Sequence, residues 1–142
     1  MSNQDETTSN SPSLVNLSNT PFKTFTEHRP WGNFLQLTHN EPSTVKILTV
    51  LAHQQTSLQY HAHRTENWTV LQGTGTIQIG DAIIEAKVGD MHTVPTGVQH
   101  RISGGETDLV ILEVSTGNFD ESDITRVEDA YGRTDTHHQK LS

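Results

Sequence analysis

The sequence predicts an all-β fold, a two-sheet sandwich or a small barrel. Three observations point there. Runs of about four to eight residues with strand character recur every ~8–12 residues, the spacing of such folds. Gly and Pro punctuate the gaps between the runs. No long 3.6-residue apolar period is present anywhere in the chain.

Residues 1–20 (MSNQDETTSNSPSLVNLSNT) are dominated by Ser, Thr, Asn and Gln. Such a stretch buries too little apolar surface to offset its ordering entropy, so it reads as a flexible tail. Leu14, Val15 and Leu17 are its candidates for docking on the domain or on a partner subunit. A single ordered domain is expected over residues 21–133, with order beginning near Phe22. In EHRPWGNF (27–34), Pro30 and Gly32 mark a turn. Trp31 reads as a plug for one end of the core, or, with Arg29, as the rim of a pocket.

Residues 40–43 form a loop, and residues 45–51 alternate as a strand. That strand carries Lys46, directed either to solvent or into a pocket. Residues 59–63 read as the next strand, with a turn at Arg64-Thr65. Residues 68–71 form another, ended by Gly73. Residues 74–79 pair with 83–86 across Gly80-Asp81, a hairpin signal. Short strands follow at 91–94 and 99–103, separated by Pro95-Thr96-Gly97. Gly104-Gly105 breaks the pattern before a strongly apolar strand at 109–114, which carries Glu113. A last strand is expected at 124–127, with a helical turn at 128–131. Residues 134–142 read as a second polar tail, and His137 and His138 within it are given no ligand role.

Lys plus Arg number 9 against 17 Asp plus Glu, a net charge of −8, which repels nucleic-acid phosphates. An anionic small molecule remains compatible where a few cations gather locally. With no cysteine there is neither a disulfide framework nor a thiolate metal site. No apolar run is long enough to span a membrane, and no basic-then-apolar leader opens the chain, so the cytoplasm is the expected compartment.

The stretch QYHAHRTENWTVLQG (59–73) carries the chemistry. Gln59, His61 and His63 stand at steps of two, which on a strand share one face. Glu66 follows, and a second stretch, GDMHTVPTGVQH (89–100), offers His100. Imidazoles, an amide oxygen and a carboxylate converging on one pocket make a divalent-metal ligand set. Two sets compete: His61, His63, Glu66 and His100, or Gln59, His61, Glu66 and His100. The donors are nitrogen and oxygen without sulfur, which admits Zn2+, Mn2+, Fe2+, Co2+ or Ni2+.

These stretches resemble the two motifs of the cupin superfamily, a double-sheet jelly-roll β-barrel. Gln59-x-His61, four residues, Glu66, six residues and Gly73 fit the first, with Gln in place of the usual first His. Gly89, Pro95, Gly97 and His100 fit the second. The chain departs at His53, where a Gly is usual, and at Gly104, where an Asn often stands. The resemblance narrows further. RPWG (29–32), LQYHAHRTENW (58–68), PTGVQHR (95–101) and DITRVEDAYGR (123–133) look like the cupin domain of type II mannose-6-phosphate isomerases. It covers residues 27–133. The bifunctional members of that family carry a guanylyltransferase domain ahead of the cupin. No nucleotide-binding stretch is read here, so a stand-alone cupin without that activity is expected.

The resemblance favours the ligand set Gln59, His61, Glu66 and His100, and zinc as the metal. It leaves His63 beside the ligands or facing the substrate. It implies aldose–ketose isomerisation of mannose 6-phosphate to fructose 6-phosphate through an enediolate. Candidate proton carriers are His63, Glu113 and Lys46, imidazole titrating in the useful range. Arg133, in the YGR element, resembles an active-site Arg of the family, and Arg29, Arg64 and Arg101 are further phosphate-binding candidates. A planar guanidinium suits a phosphate's oxygens. The partners implied are a small sugar phosphate and a second copy of the chain in a homodimer, since small cupins commonly hide a strand edge that way. The competing readings are another metal-cupin enzyme, such as a different sugar isomerase or a dioxygenase, and a non-catalytic sugar-binding cupin.

Overall fold

The computed structural model describes residues 25–134. The tail expected at 1–20, and all of the C-terminal one except Thr134, lie outside these residues, His137 and His138 included. Among the described residues there are eleven strands and no helix, hence no helix long and apolar enough to cross a membrane.

The strands are β1 (Phe25–Arg29), β2 (Gly32–Gln36), β3 (Ser43–Val50), β4 (Leu58–Tyr60), β5 (Arg64–Gln72) and β6 (Gly75–Ile79). They continue as β7 (Ala82–Glu85), β8 (Met91–Val94), β9 (His100–Gly104), β10 (Leu109–Gly117) and β11 (Thr125–Glu128). One sheet runs β3-β10-β5-β8 and the other β11-β4-β9-β6-β7. All strand pairs are antiparallel. The core draws Val50, Trp68, Val70, Val94, Leu109 and Ile111 from the first sheet and Ile77 and Ile102 from the second. The two inner faces therefore pack on each other, as in a cupin double sheet, without one continuous hydrogen-bonded barrel.

Alternation explains which side chains face inward. In β10, Leu109, Ile111, Glu113 and Ser115 are buried while the residues between them are half-exposed. In β3 the half-buried row is Thr44, Lys46 and Leu48, leading to buried Val50. Lys46 thus joins the inner row and does not point to bulk solvent. Val45 and Ile47 take the outer row, on the strand at the sheet's edge.

Four expectations need correction. β4 ends at Tyr60, so the step-of-two argument stops before His63. Arg64-Thr65 is no turn; it opens β5, paired with Gly117 and Thr116 of β10. The helical turn at 128–131 is an ordinary turn, because Glu128 completes the β11–β4 ladder and the Asp129 carboxylate captures the Arg133 backbone N–H at 2.6 Å. Trp31 does not plug the core. It sits at the tip of the β1–β2 hairpin, which pairs only with itself, and is 74% exposed.

The positions where the chain departs from the general cupin motif are backbone positions. His53 has φ 60°, the left-handed conformation that a Gly adopts without strain. Gly73 is a stricter case. Its φ is +94°, and a Cβ there would lie 1.7 Å from the Asp108 carbonyl oxygen. Gly73→Ala is expected to destabilise the fold by about 2 kcal/mol or more, since strain and clash add. Urea unfolding measures it, and an unchanged midpoint would contradict this packing.

Candidate metal centre

His61, Glu66 and His100 converge from three places. Glu66 projects inward from β5 in one sheet. His100 opens β9 in the other. His61 follows directly after β4. All three are buried, and their ligand atoms lie within 4.8 Å of one another. His61 Nε2 is 3.1 Å from Glu66 Oε1 and 3.1 Å from His100 Nε2. His100 Nε2 is 3.7 Å from Glu66 Oε2.

Each imidazole is fixed through its other nitrogen. His61 Nδ1 lies 2.7 Å from the Asp123 carbonyl oxygen, and His100 Nδ1 lies 2.9 Å from that of Val98. A nitrogen facing a carbonyl must carry hydrogen, so Nδ1 donates in both rings. The lone pairs of neutral rings are then on the Nε2 atoms, aimed at each other and at a carboxylate. Two acceptors and an anion in a dry site repel; Arg64, with Nη2 3.3 Å from His61 Nε2 and Nε donating to Glu66, offsets part of this and leaves the His100 side for a further cation. The donor set fits a divalent cation.

The electrostatics agree. Burial alone would raise the Glu66 carboxyl, but the His61 hydrogen bond, the two imidazoles and Arg64 outweigh it and hold it down at about 2. Burial pushes the His100 imidazole below its ordinary value despite the opposing pull of Glu66, which favours the neutral form a metal needs.

The carboxylate is held by its neighbours. Arg64 Nε donates to Glu66 Oε1 at 3.1 Å, and Trp68 Nε1 donates to Oε2 at 3.0 Å. The same indole N–H lies 3.3 Å from Glu113 Oε2. Glu113 is only 6% exposed. Its own burial, then the charge of Glu66 and a hydrogen bond with it, push its carboxyl up to about 7, against Trp68 and Lys46. A second buried carboxyl thus stands beside the triad.

The remaining candidates are placed as follows. The Gln59 amide nitrogen lies 3.5 Å from His61 Nε2, and its oxygen accepts from Ser57 Oγ at 2.5 Å. A half-turn of this amide aims its oxygen at the triad, with Ser57 then accepting. His63 is exposed and outside the group of three. Lys46 Nζ is paired with Glu121 at 2.5 Å and sits 4.5 Å from the Phe119 ring centre. Arg64 is buried, lies over the same ring and donates to the Asp120 carbonyl, and its Nη2 lies 3.3 Å from His61 Nε2, so it borders the triad directly. Arg101 is tied to the Thr56 carbonyl and to Glu128. Arg29 pairs with Glu27 on the β1–β2 hairpin. The Arg133 guanidinium forms two hydrogen bonds with Asp129, at 2.8 and 3.1 Å, and the residue lines a neighbouring cleft. Of the four phosphate candidates, only Arg133 lines this cleft.

Sequence reasoning missed Asp123. Its carboxylate accepts the backbone N–H groups of Ala62 and His63 at 2.8 and 2.9 Å, while its carbonyl fixes His61. No local pattern in ESDIT signals a tie across some sixty residues. Asp123→Ala is expected to weaken metal binding roughly 10- to 100-fold, as loss of an outer partner of a ligand does. Competition with a chromogenic chelator reads it, and unchanged affinity would show that the loop needs no such anchor.

A face-to-face pair of antiparallel sheets clasping a His-Glu-His cluster that could hold a metal defines a cupin. The chain belongs to the Mannose-6-phosphate isomerase C-terminal family, whose model matches residues 18–129. It is 38% identical over 109 residues to the xanthan biosynthesis protein XanB of Xanthomonas campestris pv. campestris, covering 75% of this chain and 23% of that protein. It is 33% identical over 108 residues to the mannose-1-phosphate guanylyltransferase ManC of Salmonella typhimurium, covering 75% and 22%. The chain therefore spans less than a quarter of the length of these relatives. Its fold is shared with a cupin-2 domain from Rhodospirillum rubrum, with TM-score 0.53, 16% identity, and coverage of 72% of this chain and 78% of that one.

Proposed function

We propose that this protein is a metal-dependent sugar-phosphate isomerase of the mannose-6-phosphate isomerase type. The observation that carries the reading is the buried Glu113 carboxyl, joined through the Trp68 indole to the carboxylate of a His-Glu-His metal centre. Family membership supports the substrate class.

His61, Glu66 and His100 would hold the ion, with the Gln59 oxygen as fourth donor after its half-turn. Zinc is the ion proposed, the donor types being compatible with it. A divalent cation supplies an electrophile for the oxyanion that develops on the substrate. Glu113 takes the proton from C2 and returns it to C1, while the hydroxyl proton passes from the C2 oxygen to the C1 oxygen. Arg64 and Trp68 hold Glu66 so that its charge stays on the metal side. His63 and Lys46, the other candidate carriers, are respectively exposed and engaged by Glu121.

The test is a coupled assay of metal-analysed protein with mannose 6-phosphate. Fructose 6-phosphate formation that stops with a chelator and returns with zinc is the expected result. Metal-loaded protein that binds the sugar phosphate without turnover would favour the second reading, a non-catalytic sugar-phosphate-binding cupin. That reading draws on the single proton carrier left once His63 and Lys46 are set aside. A homodimer belongs to the same proposal, because β3 leaves a strand edge that a second copy can cover. Sedimentation velocity showing only monomer across micromolar concentrations would overturn it.

A further inference from the structure

The register of the second sheet places three side chains in one row. Arg126 of β11 lies opposite Gln59 of β4, and Gln59 lies opposite His100 of β9. Residues directly opposite in an antiparallel pair project from the same face. Strands lie about 4.8 Å apart, so the Arg126 and His100 backbones are roughly 10 Å apart across this row. One end of the row is a metal ligand and the other a guanidinium. Gln59 stands between them.

A cleft of about 540 Å³, within the size range of small-molecule sites, takes in the Arg126 and Gln59 end of this row, and His100 stands next to Gln59 beyond its wall. Ser57, Gln59, Gln54, Arg126, Tyr131 and Arg133 are among its walls. Asp129 fixes the Arg133 guanidinium and Tyr131 lies beside it, 5.4 Å from ring centre to guanidinium carbon. Two cations gathered in one cleft stand out in a chain of net charge −8.

We propose that Arg126, with Arg133 beside it, is the anion subsite that holds the substrate's phosphate, with the sugar lying along Gln59 so that its carbonyl end meets the His61–Glu66–His100 centre. This rests on the sugar-phosphate reading and adds to it a specificity-determining residue that sequence reasoning did not single out. Arg133, already bound to Asp129, orients the phosphate. Arg126 supplies most of the discrimination between a phosphorylated and a plain sugar.

Calorimetric titration of the full, metal-loaded chain tests this with fructose 6-phosphate and fructose as probes. The variants are Arg126→Gln and Arg126→Lys, with metal content and melting temperature measured in each. Arg126→Gln is expected to weaken fructose 6-phosphate binding roughly 10- to 100-fold and to leave the fructose affinity unchanged. Arg126→Lys should recover part of the loss. Equal loss for both sugars, or no loss for either, overturns the proposal. Arg126-dependent binding without isomerisation would uphold this subsite while refuting the isomerase reading. Turnover unaffected by Arg126→Gln, with fructose 6-phosphate affinity intact, would do the reverse. Should the Gln variant not fold, the Lys variant decides: a partial loss of fructose 6-phosphate affinity with the fructose affinity unchanged upholds the proposal, and equal loss for both sugars, or no loss for either, refutes it.

Discussion

Glu66→Gln is expected to abolish stoichiometric metal binding and to lower turnover of mannose 6-phosphate by roughly a thousandfold, the rate equivalent of several kcal/mol of lost electrophilic stabilisation. The substitution keeps the side chain's shape. It keeps an oxygen for the Arg64 or Trp68 donor, but removes the charge that both imidazoles and Arg64 surround. Arg64 is 6% exposed, and without its carboxylate partner it becomes a buried, poorly compensated cation. Removing one partner of a buried pair costs about 3–5 kcal/mol. The variant should therefore also melt earlier, and circular dichroism at the assay temperature separates loss of the ligand from loss of the fold. A folded Glu66→Gln protein that still binds one equivalent of metal would remove Glu66 from the ligand set.

Glu113→Gln is expected to give the opposite pairing of results: metal content unchanged, kcat lower by about 10²- to 10⁴-fold, the range for a lost proton carrier. The amide oxygen can still accept from the Trp68 indole, so the hydrogen bond at that position survives. Glu113 is in register with both Lys46 and Trp68, and neither neighbour needs to move. The KM for mannose 6-phosphate should change little, because in the proposed reaction the carboxyl handles the transferred proton and the phosphate is held elsewhere. Unchanged kcat would exclude Glu113 and return the role to another group.

The strand pattern was readable because most strands lie against the core and alternate. The inward phase of Glu113 was not legible, because LVILEV (109–114) is apolar on both faces and only the folded strand shows which one is buried. The β1–β2 hairpin was not readable as strands. Its residues pair only with each other and bury little, so FTEHR and GNFLQ carry no alternating pattern, and Trp31 looked like a core residue by size alone. His61, Glu66 and His100 were legible as ligand types at a recognisable spacing. His63 misled because period-two reasoning holds only while the strand lasts. The chain leaves the ladder after Tyr60, and Asp123 pins the bend. Arg64 looked like a surface phosphate binder because sequence alone gives no sign that a guanidinium is enclosed. Its partners, Glu66 and the carbonyls of Asp120 and Asp123, come together only in the folded chain. Arg126 carried no local signal either. Its meaning lies in pairing with Gln59 across two strands remote in sequence.

Asp123, which braces His61 through its carbonyl, stands two residues before β11, the strand that carries Arg126. The same short piece of backbone therefore belongs to the cation's surroundings and to the wall of the cleft. A sugar phosphate that holds this backbone in place also holds the brace on His61 in place, so the two are expected to bind with positive cooperativity. Such coupling is reciprocal: whatever factor the metal adds to sugar-phosphate affinity, the sugar phosphate must add to metal affinity. A cell poor in the metal would then retain it best in those molecules already occupied by substrate.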